Sequence, residues 1–344
     1  MYKRPAKRSN TGNLKKTENI SPTPKASKFS RFNRQNSLNG NEVKKNIAND
    51  AEEKIKKYSI LSQAGLGDDG KPKTNQDSYL EIYKLYNIND ANIFGILDGH
   101  GVNGHLVSQC VSKYLTKFFN TNRKLTIADD STEVYVTLHR DNFDFIKKAI
   151  QRAEKEISSN KIDASLSGST CCLVFQLGNK LIISNVGDSR AIMVTNGEVK
   201  PISLDQKPTD AEEKKRIEKN GGEVKQLVEN GKPVGPFRVF KKGMDFPGIA
   251  MSRSVGDSYS TNLGVICEPE IKEEKIDENI QFIVIASDGV WEFLENKEVM
   301  EIVMPFYKSN DPDAASKKLI EEATKKWSEK ETARDDITCI ILFF

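Results

Sequence analysis

Several short, nearly all-apolar runs in this chain end on an aspartate followed by glycine or another polar turn former. Ile93-Phe-Gly-Ile-Leu97 runs into Asp98-Gly-His-Gly101, Ile182-Ile-Ser-Asn-Val-Gly187 into Asp188, and Phe282-Ile-Val-Ile-Ala-Ser287 into Asp288-Gly-Val-Trp-Glu292. Asn75-Gln-Asp77 and Asp335-Asp336 stand just before two further strand-like runs. A single Asp at a strand end is ordinary turn chemistry, because its side chain bonds its own backbone. Five such sites also fit a second reading, in which buried strands deliver carboxylates to one rim and a divalent cation relieves their repulsion. With three histidines and no Cys/His spacing suited to zinc, the donors are oxygens, and oxygen-only sites select Mg²⁺ or Mn²⁺.

Two hard cations can lower the pKa of a shared water and clamp phosphate oxygens for in-line attack. The leaving alkoxide then needs a proton donor, and His100, separated from Asp98 only by Gly99, is the histidine nearest the carboxylates. His105 starts a helix and His139 precedes one, so a surface role suits both. Rival chemistries leave no trace. No cysteine has Arg six residues on, and the G-x-S-x-G elbow of serine hydrolases is absent. Gly65-Leu-Gly-Asp-Asp-Gly70 imitates a phosphate loop but carries two carboxylates and no following helix. His139-Arg-Asp141 imitates a kinase catalytic loop without its Asn or an Asp-Phe-Gly, and Arg140 and Asp141 read as the start of a helix.

Short β-rich runs are expected at 58–63, 78–86, 92–97, 170–177, 181–186, 190–195, 281–287 and 337–344. Helical periodicity marks 106–119, 141–158, 209–219, 296–306 and 311–327. Consecutive strands followed by paired helices favour an α+β fold with antiparallel sheets. The region from about 220 to 247, rich in Gly, Lys, Glu, Asn and Pro, reads as a long surface loop or flap.

The formal charge of +3 divides unevenly: residues 1–56 carry 14 basic against 5 acidic side chains, and the remainder 38 against 44. Residues 1–52 therefore read as a disordered basic tail and 53–344 as the catalytic domain. Lys3-Arg4 and Lys15-Lys16 resemble a bipartite nuclear-import signal, so a cytoplasmic or nuclear location is expected, with a plain solvated tail as the alternative. The five cysteines lie in apolar runs without a C-x-x-C pair, as reduced thiols would. No apolar run is long enough to span a bilayer, and the body is too acidic for a nucleic-acid binder. A soluble protein is expected, without membrane insertion and most simply a monomer.

Taken in order, Asn75-Gln-Asp77, Asp98-Gly-His-Gly101, Gly168-Ser-Thr170, Asn185-Val-Gly-Asp-Ser-Arg190, Asp205-Gln-Lys-Pro208, Met251-Ser-Arg-Ser-Val-Gly-Asp257, Ala286-Ser-Asp-Gly-Val-Trp291 and Asp335-Asp-Ile-Thr338 resemble the metal-dependent type-2C protein serine/threonine phosphatases. The resemblance runs from about residue 58 to 344 and implies a four-layer α-β-β-α sandwich of two antiparallel sheets flanked by helices. It implies two Mg²⁺ or Mn²⁺ ions with Asp98 bridging, Gly99 giving its carbonyl, Asp288 and Asp335 as ligands and Asp77 at or just beyond them. Asp188 and Glu292 fall on a weaker third metal position, His100 on the general acid, and Arg253 on an arginine near the flap. The implied reaction is direct attack of a metal-activated hydroxide on phosphoserine or phosphothreonine in protein substrates. A catalytically silent binding module and a small-molecule phosphoesterase are the alternatives. Two positions depart from the pattern: Gln76 stands where Glu is frequent, and Pro72 stands at the phosphate-binding arginine, flanked by Lys71 and Lys73, either of which can supply the charge, with Lys73 preferred.

Overall fold

The computed structural model describes residues 53–344, so the expectations for the basic tail and its import-like signal lie outside the described residues. Ten strands form two five-stranded antiparallel sheets. The first has the spatial order Lys57–Gln63, Ile337–Phe343, Ile280–Ala286, Arg190–Thr195, Glu198–Pro201. The second runs Glu270–Lys275, Lys180–Val186, Cys171–Leu177, Ala91–Leu97, Ser78–Ile82.

The all-apolar runs are explained by burial on both faces of each sheet. In Ile280–Ala286, Ile283 and Ile285 enter a core shared by the two sheets. Phe282, Val284 and Ala286, on the opposite face, pack on the helices Asn296–Ser309 and Pro312–Lys330. The second sheet repeats this: Phe94 and Ile96 face the shared core, while Ile93 and Leu97 pack on Gly104–Thr121 and Ser131–Ser159. Period-two alternation between two dry environments looks like no alternation at all in the sequence. The result is the α-β-β-α sandwich, and truncating a doubly enclosed side chain such as Phe282 costs about 3–5 kcal/mol. Cys172 and Cys339 are in these layers, and burial pushes both thiols up to about 12. That leaves them unionised and inert.

Four local expectations are corrected. Residues 220–247 are not an irregular loop but a β-hairpin, Gly222–Glu229 against Lys232–Lys241, with a third short strand at Pro247–Ile249. Asn230-Gly231 makes the turn with φ of 51° and 75°, the positive pair that a two-residue hairpin turn demands. The strands Glu198–Pro201 and Glu270–Lys275 were not expected: both lie at sheet edges, where charged residues replace the apolar pattern. Ser131–Ser159 is two helices joined by a kink at Arg140–Phe143, so the expected helix starts just after Arg140 and Asp141, and the preceding helix from Ser131 was not expected. The strand expected to reach Tyr86 stops at Ile82. Among the described residues, no helix is long and apolar enough to cross a membrane.

Candidate active site

Ala91–Leu97 and Ile280–Ala286 end on the same rim and there deliver Asp98 and Asp288. Beyond Asp98 the chain adds a short ribbon: Gly99-His100 pairs with Gly168-Ser169, which pairs on its other side with Val255-Gly256. In this register His100 and Gly256 flank Gly168, and Asp257 follows at once. A Cβ on Gly168 would lie 2.0 Å from Asp257 Oδ2, so glycine leaves the space that this carboxylate fills. Asp257 Oδ2 lies 2.6 Å from His100 Nε2 and accepts a 2.6 Å hydrogen bond from the Ser254 hydroxyl. His100 Nδ1 is buried without a protein partner. Burial alone would push the imidazole pKa down, but the charge and hydrogen bond of Asp257, with Asp188 beyond, hold it above its ordinary value.

Five carboxylates from five segments act on one another beside this pair. Burial, followed by the charges of Asp288, Asp77, Asp335 and Asp188, holds Asp98 well above the usual carboxylate range. Asp288 is raised in the same way, first by burial and then by Asp335, Asp188 and Asp77. Asp77 accepts a 2.8 Å hydrogen bond from Ser287, yet burial still pushes it up to about 7. Asp77 Oδ1, Asp188 Oδ1 and Asp288 Oδ1 are buried with no hydrogen-bond partner in the protein. Such atoms are costly unless something else satisfies them.

Two lysines supply part of the missing charge. Lys73 pairs with Asp335 and lies 3.7 Å from Asp336, while Lys207 Nζ donates to Asp188 Oδ2 at 2.6 Å. Among the described residues, no three His, Cys, Asp or Glu side chains form a ready-made metal cage. The donor set still fits hard divalent cations, since it is all oxygen, and three of its members have an orphaned atom. Gly99 is buried against the Gln76 and Gly104 carbonyls, where a Cβ would lie 2.6 and 2.4 Å away. Gln76 takes a structural place: its side-chain amide donates to the Gly101 carbonyl at 2.7 Å, and its own carbonyl accepts from Gly99 N–H and Ser108. Glu292 is exposed, beyond the short helix that Asp288 begins. Arg253 binds Glu213 through Nε and Nη2 and the Glu268 carbonyl through Nη1.

Asp336 was noted in the sequence beside Asp335 without a role of its own, and Asp257 and Lys207 were not singled out there. Asp257 and Lys207 lie inside motifs that were, at the end of Met251–Asp257 and within Asp205–Pro208. Asp336 is buried and accepts from Gly65 N–H at 2.6 Å and Gln76 N–H at 2.9 Å, tying down the loop that carries Lys73. His100, Asp188, Asp257 and Asp288 share a cavity of about 330 Å³ with Arg238 and the Pro247–Met251 segment of the flap. A larger cavity, about 580 Å³, lies elsewhere, along the Gly104–Thr121 helix, and meets none of these carboxylates.

Residues 73–332 match the family model described as protein phosphatase 2C. The chain is 32% identical over 304 residues to a probable protein phosphatase 2C 35 of Arabidopsis thaliana, covering 83% of each. It is 34% identical over 284 residues to a probable protein phosphatase 2C 64 of Oryza sativa subsp. japonica, covering 80% of this chain and 63% of that one. Its fold is similar to the crystal structure of a serine-threonine phosphatase 2C from Toxoplasma gondii, with a TM-score of 0.69 and 20% identity over 83% of this chain and 94% of the other. A C. elegans sex determining protein is similar at a TM-score of 0.65 and 19% identity, over 84% of this chain and 64% of that one.

Proposed function

Because the chain belongs to the protein phosphatase 2C family of metal-dependent serine/threonine phosphatases, we propose that the carboxylate rim and the His100–Asp257 pair hydrolyse phosphoserine and phosphothreonine in proteins. The observation that carries this reading is the set of five mutually destabilising carboxylates, three with an orphaned oxygen, beside a histidine with one free nitrogen. Asp98, Asp288 and Asp335, with the Gly99 carbonyl and Asp77 in support, would hold two Mg²⁺ or Mn²⁺ ions, and Asp188 with Glu292 a weaker third. Bound there, the ions supply Lewis acidity toward the phosphate and a water of lowered pKa.

The chain's own residues carry the proton. Asp257 accepts from Nε2–H of His100 and fixes the ring, so the proton to be given away sits on Nδ1. Asp257 holds the imidazole pKa above its ordinary value, which favours the protonated ring, and Nδ1 would give its proton to the departing seryl or threonyl oxygen. Ser254 donates to the same Asp257 oxygen, Oδ2, and so helps fix the carboxylate. Lys73 places a positive charge on the Asp335 side of the site, within the field of Asp98. A protein substrate is favoured over a small phosphoester by the flap: Leu227, Val228, Val234, Phe237, Met244 and Phe246 all expose apolar surface on or beside the hairpin. A sugar phosphate has no use for such a surface, whereas a polypeptide does.

Turnover of a phosphothreonine peptide with Mn²⁺ tests the reading, with Asp98→Asn as control and a sugar phosphate as rival substrate. Metal-dependent peptide turnover that collapses in the variant is expected. Undiminished activity in Asp98→Asn would remove the mechanism, and faster turnover of the sugar phosphate would reassign the substrate.

A further inference from the structure

Five arginines stand in or around the site; Arg334, beside Asp335, binds Thr324 and the Ala64 carbonyl with its Nε buried, and three others have every guanidinium nitrogen engaged. Arg190 binds Asp205 through Nε and Nη2 and Asn296 through Nη1. Arg216 and Arg253 each give all three nitrogens to Glu213 and to backbone carbonyls. Arg238 is different. It comes from the flap strand Lys232–Lys241, is half-buried, and donates one hydrogen bond, from Nη1 to the Gly248 carbonyl at 2.8 Å. Among the described residues no carboxylate pairs with it, and its Nε and Nη2 have no protein acceptor.

Its location gives that free valence a purpose. Among the described residues, Arg238 is the one permanent cation lining the cavity of about 330 Å³ whose other walls include His100, Asp188, Asp257 and Asp288. A guanidinium facing three carboxylates across a cavity without pairing to any of them stands ready for an anion that enters between. The Gly248 bond anchors one nitrogen and leaves Nε and Nη2, two adjacent donors matched to two oxygens of a phosphate. The cations favoured from the sequence are otherwise engaged, Lys73 on Asp335 and Asp336 and Arg253 on Glu213.

We propose that Arg238 is a substrate-binding residue that grips the phosphate of the phosphoserine or phosphothreonine from the flap side, in place of the arginine that Pro72 displaces. This rests on the phosphatase reading above. It makes the flap a direct contributor to phosphate recognition, not only a surface for the polypeptide.

The test is steady-state kinetics of Mn²⁺-loaded wild type, Arg238→Ala and Arg238→Lys on a phosphothreonine peptide and on p-nitrophenyl phosphate, with inorganic phosphate as inhibitor. In Arg238→Ala, KM for both substrates and Ki for phosphate are expected to rise together by about tenfold or more, the cost of losing a charge-assisted hydrogen bond. The kcat should stay within about threefold, and Arg238→Lys should recover part of the loss. A rise in KM for the peptide alone, with Ki unchanged, would assign Arg238 to the polypeptide and overturn the proposal, as would no change at all. If wild type hydrolyses neither substrate, the phosphatase reading fails by itself. Calorimetric binding of inorganic phosphate to the Mn²⁺-loaded proteins then decides the Arg238 contact separately: weaker binding in Arg238→Ala upholds it, and equal binding overturns it.

Discussion

Glu213 and Asp77 are both buried carboxylates, with 7% and 9% of their surface exposed, and burial pushes both toward the neutral acid. At Glu213 that push is outweighed by hydrogen bonds from Arg216, Arg253 and Ser252 and by the charge of Arg253, and the carboxyl sits at about 2. At Asp77 one hydroxyl from Ser287 and one further hydrogen bond, with Thr338, do not compensate, Asp336 and Asp335 add repulsion, and the carboxyl sits at about 7. The Glu213 cluster closes on itself and ties the helix Ala211–Lys219 to the Ser252-Arg253 segment. The Asp77 cluster is left open, with orphaned oxygens on Asp77, Asp188 and Asp288. The difference separates charge buried for architecture from charge buried for a ligand: the first is satisfied within the chain, the second is satisfied from outside it.

The sharpest way to break this comparison is to remove one carboxylate from each side. Asp98→Asn should lower turnover at least about a thousandfold, about 4 kcal/mol of transition-state stabilisation, because the proposed metal site would lose a carboxylate. In chelator, however, its melting temperature should match or exceed that of wild type, because the substitution relieves repulsion in the metal-free rim. Glu213→Ala should do the reverse. It strands Arg216 and Arg253 without their shared partner, at about 3–5 kcal/mol of stability by denaturant titration, while turnover per folded molecule falls only a few-fold. A comparable loss of metal-free stability in Asp98→Asn would end the distinction.

The open cluster was legible in the sequence and the closed one was not, for a physical reason. Asp98 and Asp288 each end a run of residues buried on both faces, so the pattern marks the rim directly. Glu213 sits in a short polar helix and meets Arg253 forty residues later, and only tertiary packing brings them together. The same limit hid Asp257, since the pairing of Gly168 with both His100 and Gly256 is what brings it to the histidine. It also hid the free fork of Arg238, which is defined by what the other arginines have already bound. The hairpin at 222–241 was within reach, because Asn230-Gly231 is a strong turn signal, but only its base is buried, at Val239 and Phe240, and its exposed arms mix charged with apolar residues and show no regular alternation.

Acid should separate the two clusters by sign. Glu213 has its folded pKa depressed from 4.5 to about 2, so its contribution, about 3 kcal/mol at most, is complete above pH 4.5 and lost as the pH falls toward 2. Asp77 has its folded pKa raised from 3.8 to about 7, so its contribution is complete below 3.8 and lost as the pH climbs through 7. Denaturant titrations in chelator should therefore show stability falling on both flanks of a mildly acidic optimum. Glu213→Gln should flatten the acid flank and Asp77→Asn the alkaline one. Adding Mn²⁺ should restore the alkaline flank, by up to about 2.7 kcal/mol at a hundredfold excess over its Kd. An alkaline flank that ignores both Mn²⁺ and Asp77→Asn would mean that the rim carboxylates do not govern it.

The smallest effect is expected where the two rules meet. Asp188 has one oxygen orphaned and the other bound by Lys207 at 2.6 Å, so it is half closed. The ammonium is half-buried and competes with any cation seeking the same carboxylate. In Lys207→Met that competition is gone, and the affinity of the weakest Mn²⁺ site should rise several-fold, in line with a pair worth about 1 kcal/mol. Electron paramagnetic resonance titration of free Mn²⁺ reads this without relying on turnover. The proposed stronger sites, which Lys207 reaches only through the more distant charge of Asp288, should move less. A fall in affinity would show that Lys207 aims Asp188 at the ion, and the carboxylate would then belong to the closed class after all.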